Sequence, residues 1–280
     1  MSIKSLLGRM ENRIFLIIHC IRPPALSLCL KHCLRIPRKY IKTDQGYMFW
    51  VDPLSTFGLE ILRSGVYEPQ MTYLLRLVLR PGDVFIDIGA NEGYFSIIAS
   101  ALVANGQIYC IEPQSRLQQV ILENVKINNA HTVKIHQVAL SDNNSGVELF
   151  LSSSIDSGFS SIHVAPKLCF RKEKVPSLPL DNFFEINKLG RVRLIKIDTE
   201  GAEHDIVTGG IKSIQRGAFD FIALEYHLGI FIPERITSTH KILKDSGYIL
   251  TKCGGQTIYH LPGLDKEIQS LGDLQVDAPI

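Results

Sequence analysis

The chain is predicted to be an α/β protein with a mainly parallel sheet, helices on both faces and a small N-terminal accessory segment. Three observations predict this. From Asp83 onward, short apolar runs alternate with segments of helical apolar spacing, and strands separated by helices build parallel sheets because a parallel connection needs a crossover. The first run, DVFIDIGANEGYFS (83–96), passes through a glycine turn directly into a helical pattern. At the other end, two apolar runs flank Gly254-Gly255, which reads as a hairpin that adds an antiparallel strand to the parallel set.

The elements follow in order. Residues 1–42 carry two short apolar runs, IFLIIHCI and ALSLCL, separated by Arg22-Pro23-Pro24. Each is far shorter than the roughly 20 residues a spanning helix needs. This segment holds nine Lys/Arg against the single Glu11, a charge of +8 in a chain whose total is +2, so the remainder carries −6. It reads as a helix packed on the domain or, alternatively, as a basic apolar helix making peripheral contact with a membrane surface. Residues 43–82 form a pre-domain, with a hairpin around Asp44-Gln45-Gly46 and a helical stretch from Leu59 to Leu79 that breaks near Gly65. Residues 83–262 form the main domain and 263–280 a C-terminal tail.

Within the main domain, strands are expected at 83–88, 107–112, 133–140, 193–198 and 220–227, with helices at 94–104, 115–128, 202–216 and 234–245. Residues 141–192 are too long for a simple crossover. An insertion at the carboxyl ends of parallel strands is where α/β proteins select substrates, so this segment is the expected specificity element. With 45% hydrophobic and 21% charged residues over 280 positions, the core needs no covalent staples. Six scattered cysteines without a CxxC pair indicate neither a disulfide framework nor a zinc site. A reducing, cytoplasmic location is expected, and the absence of a basic stripe interleaved with aromatics beyond residue 42 argues against a nucleic-acid partner.

The chemistry is expected at the strand ends. Ligands of open parallel sheets sit beyond the carboxyl ends of the strands, where Gly89 and Gly93 would let a ligand approach the backbone and the following helix offers free N–H groups. Glu112 ends the second strand and can accept hydrogen bonds from both hydroxyls of a ribose. A dinucleotide site would place a glycine where Asp87 stands. A carboxylate there repels a diphosphate and suits an ammonium group, so the pair Asp87 and Glu112 fits S-adenosyl-L-methionine better than NAD. An NAD-dependent oxidoreductase and a non-catalytic nucleoside-binding protein are the competing readings.

Taken in order, DVFIDIGANEGYFS, IYCIEPQ, VALSD, LPLDNFF, LIKIDTEGAEHDIVTGG and IALEYH resemble the FkbM-type methyltransferases, S-adenosylmethionine-dependent enzymes that mostly methylate hydroxyl oxygens. The resemblance runs from about Gly65 to His227 and includes GVYEP before the first strand; the first forty residues lie outside it. It implies a Rossmann-like seven-stranded methyltransferase sheet. It also implies that Asp87, Gly89 and Gly93 hold the methionine portion, with Glu68 and Asn91 among the cofactor residues, Glu112 at the ribose and Asp142 at the adenine. The acceptor would be a glycan or a hydroxylated small molecule.

Four residues are candidates for the transfer itself. Asp198 closes the fourth strand and Glu200 follows it, at the sheet edge where a methyl group would point. Glu225 and His227 lie two apart at the end of the fifth strand and hence on one face. Transfer to an alcohol requires removal of the hydroxyl proton, for which a histidine of near-neutral pKa is suited. Alternatively, Asp198, Glu200 and His227 could share a divalent metal that acidifies the hydroxyl. Glu203 and Asp205 need no such role, because acids in a first helical turn complement the helix dipole.

Overall fold

A computed structural model describes residues 3–21, 24–152, 171–226, 232–253 and 256–272. The chain enters through helices α1 (Ile3–Cys20) and α2 (Pro24–Cys33), followed by an antiparallel hairpin of β1 (Lys39–Lys42) and β2 (Met48–Val51). Helix α3 (Thr56–Ser64) starts at Ser55, whose hydroxyl accepts the Gly58 N–H at 2.9 Å and so satisfies one of the donors that a helix start leaves open. Helix α4 (Pro69–Val78) begins with a proline, which lacks the N–H that would be unpaired there.

Strands and helices then alternate through β3 (Val84–Ile88), α5 (Tyr94–Val103), β4 (Gln107–Ile111), α6 (Ser115–Ile127) and β5 (Val133–His136). Strand β6 (Ala139–Ser141) follows, and the 141–192 region supplies β7 (Val147–Leu151), β8 (Arg171–Val175), β9 (Ser177–Pro179) and α7 (Leu180–Ile186). The chain returns to the main sheet with β10 (Val192–Ile197), α8 (Glu203–Gly209), α9 (Ile211–Gln215), β11 (Phe219–Leu224) and α10 (Pro233–Asp245). It ends in β12 (Ile249–Cys253), β13 (Gln256–His260) and α11 (Asp265–Gly272).

The main sheet has seven strands in the order β12-β13-β11-β10-β3-β4-β5, parallel except that β13 runs antiparallel to both β11 and β12. This is the predicted seven-stranded Rossmann-like sheet with its terminal hairpin. Successive strand residues face opposite sides, and the core divides accordingly. Phe85, Leu194 and Phe221 join Leu74, Val78 and Ile98 on one face, while Ile86, Ile195 and Ile222 join Phe184, Ile206 and Leu243 on the other. Each fully buried side chain of this size contributes about 1.5–3 kcal/mol. Phe49, Phe57 and Met71 belong to the first of these clusters, so residues 43–82 share the core of the sheet.

Two expectations are corrected. The strand expected over 133–140 is two strands, β5 at the sheet edge and β6 in a separate pair with β9; the break redirects the Ala139 N–H to the Pro176 carbonyl at 3.0 Å. The helix expected over 202–216 divides at Gly209 and Gly210. A Cβ at Gly209 would lie 2.0 Å from the Ser141 carbonyl oxygen, so β6 approaches the helix backbone more closely than any other residue allows.

The N-terminal helices pack on the domain through Phe15 and Ile18, which meet Leu54, Leu28, Leu59 and Leu62. Ion pairs join Lys31 to Asp52 and Arg38 to Glu92, the latter at 2.9 Å. Among the described residues no helix is long and apolar enough to cross a membrane. Cys20, Cys29, Cys33 and Cys110 are free thiols.

Candidate active site

From β3 the chain builds outward to β4 and β5, then jumps back to β10 on the opposite side. The carboxyl ends of β3 and β10 therefore border the crevice where ligands of such sheets bind. Here the two loops touch. Gly89 has φ +76°, and a Cβ on it would lie 1.8 Å from the Asp198 carbonyl oxygen, so only glycine allows both the turn and the contact. Gly93 precedes α5 as its N-cap.

Glu112 fixes the loop between those glycines. Its Oε2 accepts the Asn91 N–H at 2.9 Å and its Oε1 the Gln114 N–H at 3.0 Å. Burial pushes its pKa up to about 7, against the pull of those two backbone N–H groups. Glu112 lines the cavity together with Asn91 and Gln114.

Asp87 lies one layer deeper. It is fully buried, accepts the Ser96 hydroxyl at 2.7 Å on Oδ2, and has no hydrogen-bond partner on Oδ1. Burial raises its pKa, with Lys196 opposing. Lys196 is itself buried on β10, its ammonium 2.7 Å from Asp198 Oδ2 and 5.1 Å from the centre of the Phe95 ring. Burial alone would lower the lysine pKa, but Asp198, Asp87, Glu68 and Glu225 together raise it, so the ammonium stays charged.

Glu68 approaches the same place from α4. It precedes Pro69, which disfavours the right-handed helical region for it, and it adopts φ +40°. Its N–H is taken by Glu60 Oε1 at 3.2 Å, and its own Oε2 is buried without a partner. Burial pushes the Glu68 pKa up to about 8; Lys196 opposes this, and Glu225 and Asp198 add to it. Carboxylate oxygens of Glu68, Asp198 and Glu225 lie within 4.8 Å of one another.

These residues line a cavity of about 110 Å³ that opens to solvent. Acids occupy one side. The other sides are apolar, from Ile88, Ile111, Val138, Leu140 and Leu149, and aromatic, from Phe57, Tyr67, Tyr94 and Phe95. These rings meet edge to face at centroid distances of 5.0–5.7 Å, and the Tyr94 hydroxyl accepts the Tyr67 N–H at 3.1 Å.

Of the residues predicted from sequence, Glu68, Gly89, Asn91, Glu112, Asp198 and Glu200 line this cavity. Asp87 and Gly93 shape it from behind. Asp142 is exposed outside the cavity wall, with its Oδ1 accepting Asn143 at 2.6 Å. Glu225 joins the acid cluster rather than the lining, and His227 lies outside the described residues. The predicted metal set included His227, which lies outside the described residues; among the described residues the acids that converge are Glu68, Asp198 and Glu225. A divalent ion there would meet the resident Lys196 ammonium, which lies 2.7 Å from Asp198 Oδ2.

Three contributors escaped the sequence reading. Lys196 is buried on β10 and paired with Asp198. Glu92 is buried between two supports: Arg38 binds its carboxylate at 2.9 and 3.1 Å, and the Asn124 side chain donates to its carbonyl at 2.9 Å. Glu203, beyond any dipole effect, accepts the Thr199 N–H at 3.0 Å and the Gly201 N–H at 3.1 Å, tying down the loop that carries Glu200. For Glu203 the available signal was the acid spacing in DTEGAE; for Glu92 and Arg38, 54 residues apart, there was none.

Comparison with known proteins bears on this arrangement. The chain is 26% identical over 161 residues to the 2-O-methyltransferase NoeI of Sinorhizobium fredii, covering 52% of this chain and 65%, less than two thirds, of that protein. It is 26% identical over 188 residues to Methyltransferase 1 of Beauveria bassiana, covering 60% of this chain and 74% of that one. Among solved structures, fibrillarin from Aeropyrum pernix with bound S-adenosyl-L-methionine aligns with a TM-score of 0.40 at 11% identity, over 68% of this chain and 73% of that chain. The Methyltransferase FkbM domain matches residues 87–250, more than half of the sequence and the whole span from the buried acid of β3 to the terminal hairpin, and the chain therefore belongs to the FkbM methyltransferase family.

Proposed function

We propose that the protein is an S-adenosyl-L-methionine-dependent O-methyltransferase acting on a hydroxyl of a glycan or a hydroxylated small molecule. The observation that carries this reading is that Glu112 and Glu68 line one cavity together with Asp198. Glu112 offers acceptors for a ribose and Glu68 for an ammonium, with apolar side chains in the same lining.

S-adenosyl-L-methionine would supply an electrophilic methyl group, and its donors suit the acceptors present: vicinal hydroxyls for Glu112, and an ammonium for the unpartnered Glu68 oxygen. The apolar residues Val138, Leu140 and Leu149 offer contact for a flat base. Asp198, held by Lys196, orients the acceptor hydroxyl, and the neighbouring carboxylates receive its proton. The aromatic side of the cavity excludes water, so the main contribution of the chain is alignment in a dry site. The 2-O-methyltransferase activity of the NoeI relative supports an oxygen acceptor. The insertion contributes Leu149 to the cavity wall, which supports a role for this segment in shaping the site.

The test has two arms. S-adenosyl-L-methionine and its demethylated product should raise the thermal midpoint while NAD does not; stabilisation by NAD alone would reject the cofactor. Incubation with methyl-labelled donor and fractionated glycan extracts should yield a labelled ether by mass spectrometry. Label found on nitrogen or carbon would reject O-transfer.

A further inference from the structure

The N-terminal helices leave an aliphatic face uncovered. Phe15, Ile18 and Leu28 point inward to Leu54. On the outer side, Ile14 and Ile17 of α1 are 50% and 65% exposed, and Leu26, Leu30 and Leu34, spaced four apart along α2 and its last turn, are also exposed. Single exposed aliphatics are ordinary, but a set on two packed helices marks an interaction surface.

Charge identifies what it meets. The same 42 residues hold nine basic side chains and one acid, against −6 in the rest of the chain. Lys31 and Arg38 are engaged with Asp52 and Glu92, whereas Arg13 and Arg35 are exposed beside the aliphatic residues. A second copy would set one +8 segment against another. An anionic bilayer satisfies the aliphatic and the basic groups together, because lipid phosphates lie directly above an apolar layer. We propose that this face of α1 and α2 seats on an anionic lipid bilayer, with the aliphatic side chains at the acyl boundary and Arg13 and Arg35 against the phosphates. Arg13 and Leu16 also line a groove between α1 and α3 to which Pro69 contributes.

The test uses the full chain and is independent of methyl transfer. In co-sedimentation, vesicles of phosphatidylcholine with phosphatidylglycerol should retain the protein, vesicles of phosphatidylcholine alone should not, and added salt should release it. Arg13→Gln with Arg35→Gln should lower the partition coefficient by about 25-fold, about five-fold for each charge. Ile17→Ser with Leu34→Ser should lower it by about ten-fold or more. Both variants alter exposed positions and should keep the wild-type thermal midpoint. The proposal is overturned if folded wild type ignores anionic vesicles, if it binds both vesicle types alike, or if the folded variants bind as wild type does. It is equally overturned if sedimentation equilibrium finds a dimer that Ile17→Ser with Leu34→Ser dissolves, which assigns the face to a second copy.

Discussion

Arg38→Met tests whether the N-terminal segment holds the cofactor loop in shape. The substitution keeps most of the apolar stem and removes the guanidinium, and with it two bonds to the Glu92 carboxylate at 2.9 and 3.1 Å and one to the Trp50 carbonyl at 3.0 Å. Glu92 is 1% exposed, and its main-chain neighbours Asn91 and Gly93 frame the cavity. Removing one partner of a buried ion pair typically costs about 3–5 kcal/mol, because the remaining charge is stranded. Arg38 retains 21% exposure, so water reaches the outer side of the pair and the low end of that range applies, about 3 kcal/mol. At roughly 2–4 °C per kcal/mol for a chain of this size, the midpoint should fall by about 6–12 °C. The sign of the pH dependence follows. Burial already raises the Glu92 pKa, with Arg38 opposing. Without Arg38 the folded-state pKa climbs further above its unfolded value, the folded protein binds the extra proton, and the stability deficit shrinks as pH falls toward 5. Differential scanning calorimetry of wild type and variant from pH 5 to 8 measures this, and adding Glu92→Gln to the variant should recover part of the loss. A midpoint change under about 2 °C with no pH dependence would refute the reasoning.

Glu112→Ala should weaken cofactor binding by about 1.5–3 kcal/mol in titration calorimetry, since it removes a charged acceptor and strands the Asn91 and Gln114 N–H groups. Because burial holds the Glu112 and Glu68 pKa values at about 7 and about 8, both above the unfolded carboxylate value, the cofactor-free protein should lose stability as pH rises from about 4.5 to 8. Glu112→Gln should flatten the lower part of that decline and Glu68→Gln the upper part. Asp198→Asn should leave cofactor affinity nearly unchanged and lower turnover by about 10²–10⁴; loss of cofactor binding instead would place this carboxylate in the cofactor pocket. Gly89→Ala should abolish cofactor binding, because the new methyl group would overlap the Asp198 carbonyl; binding within two-fold of wild type would contradict the close approach of the two loops.

The sheet was legible because its signals are local. Phe85/Ile86, Leu194/Ile195 and Phe221/Ile222 are adjacent apolar pairs in short runs, the pattern of strands covered on both faces, and Gly89 and Gly93 marked the turn that feeds α5. Glu112 was legible for the same reason, since its role depends on its position at a strand end. The need for glycine at 209 was not, because it answers to Ser141, a neighbour only in space. Asp87 shows the limit within a correctly read motif: its spacing placed it at the site, yet its side chain turns inward to Ser96 and lies beneath the cavity. Sequence by itself thus determined the strand order's raw material, the glycine loop, the acid at the end of β4 and the concentration of positive charge in the first 42 residues. Only the tertiary structure decided that Glu68, from a helix before the sheet, meets Asp198 and Glu225 around Lys196, and that Arg38 reaches Glu92 across 54 residues. Periodicity reports which face of its own element a residue occupies, whereas the encounter of charges from separate elements depends on how those elements pack, and no local pattern encodes that.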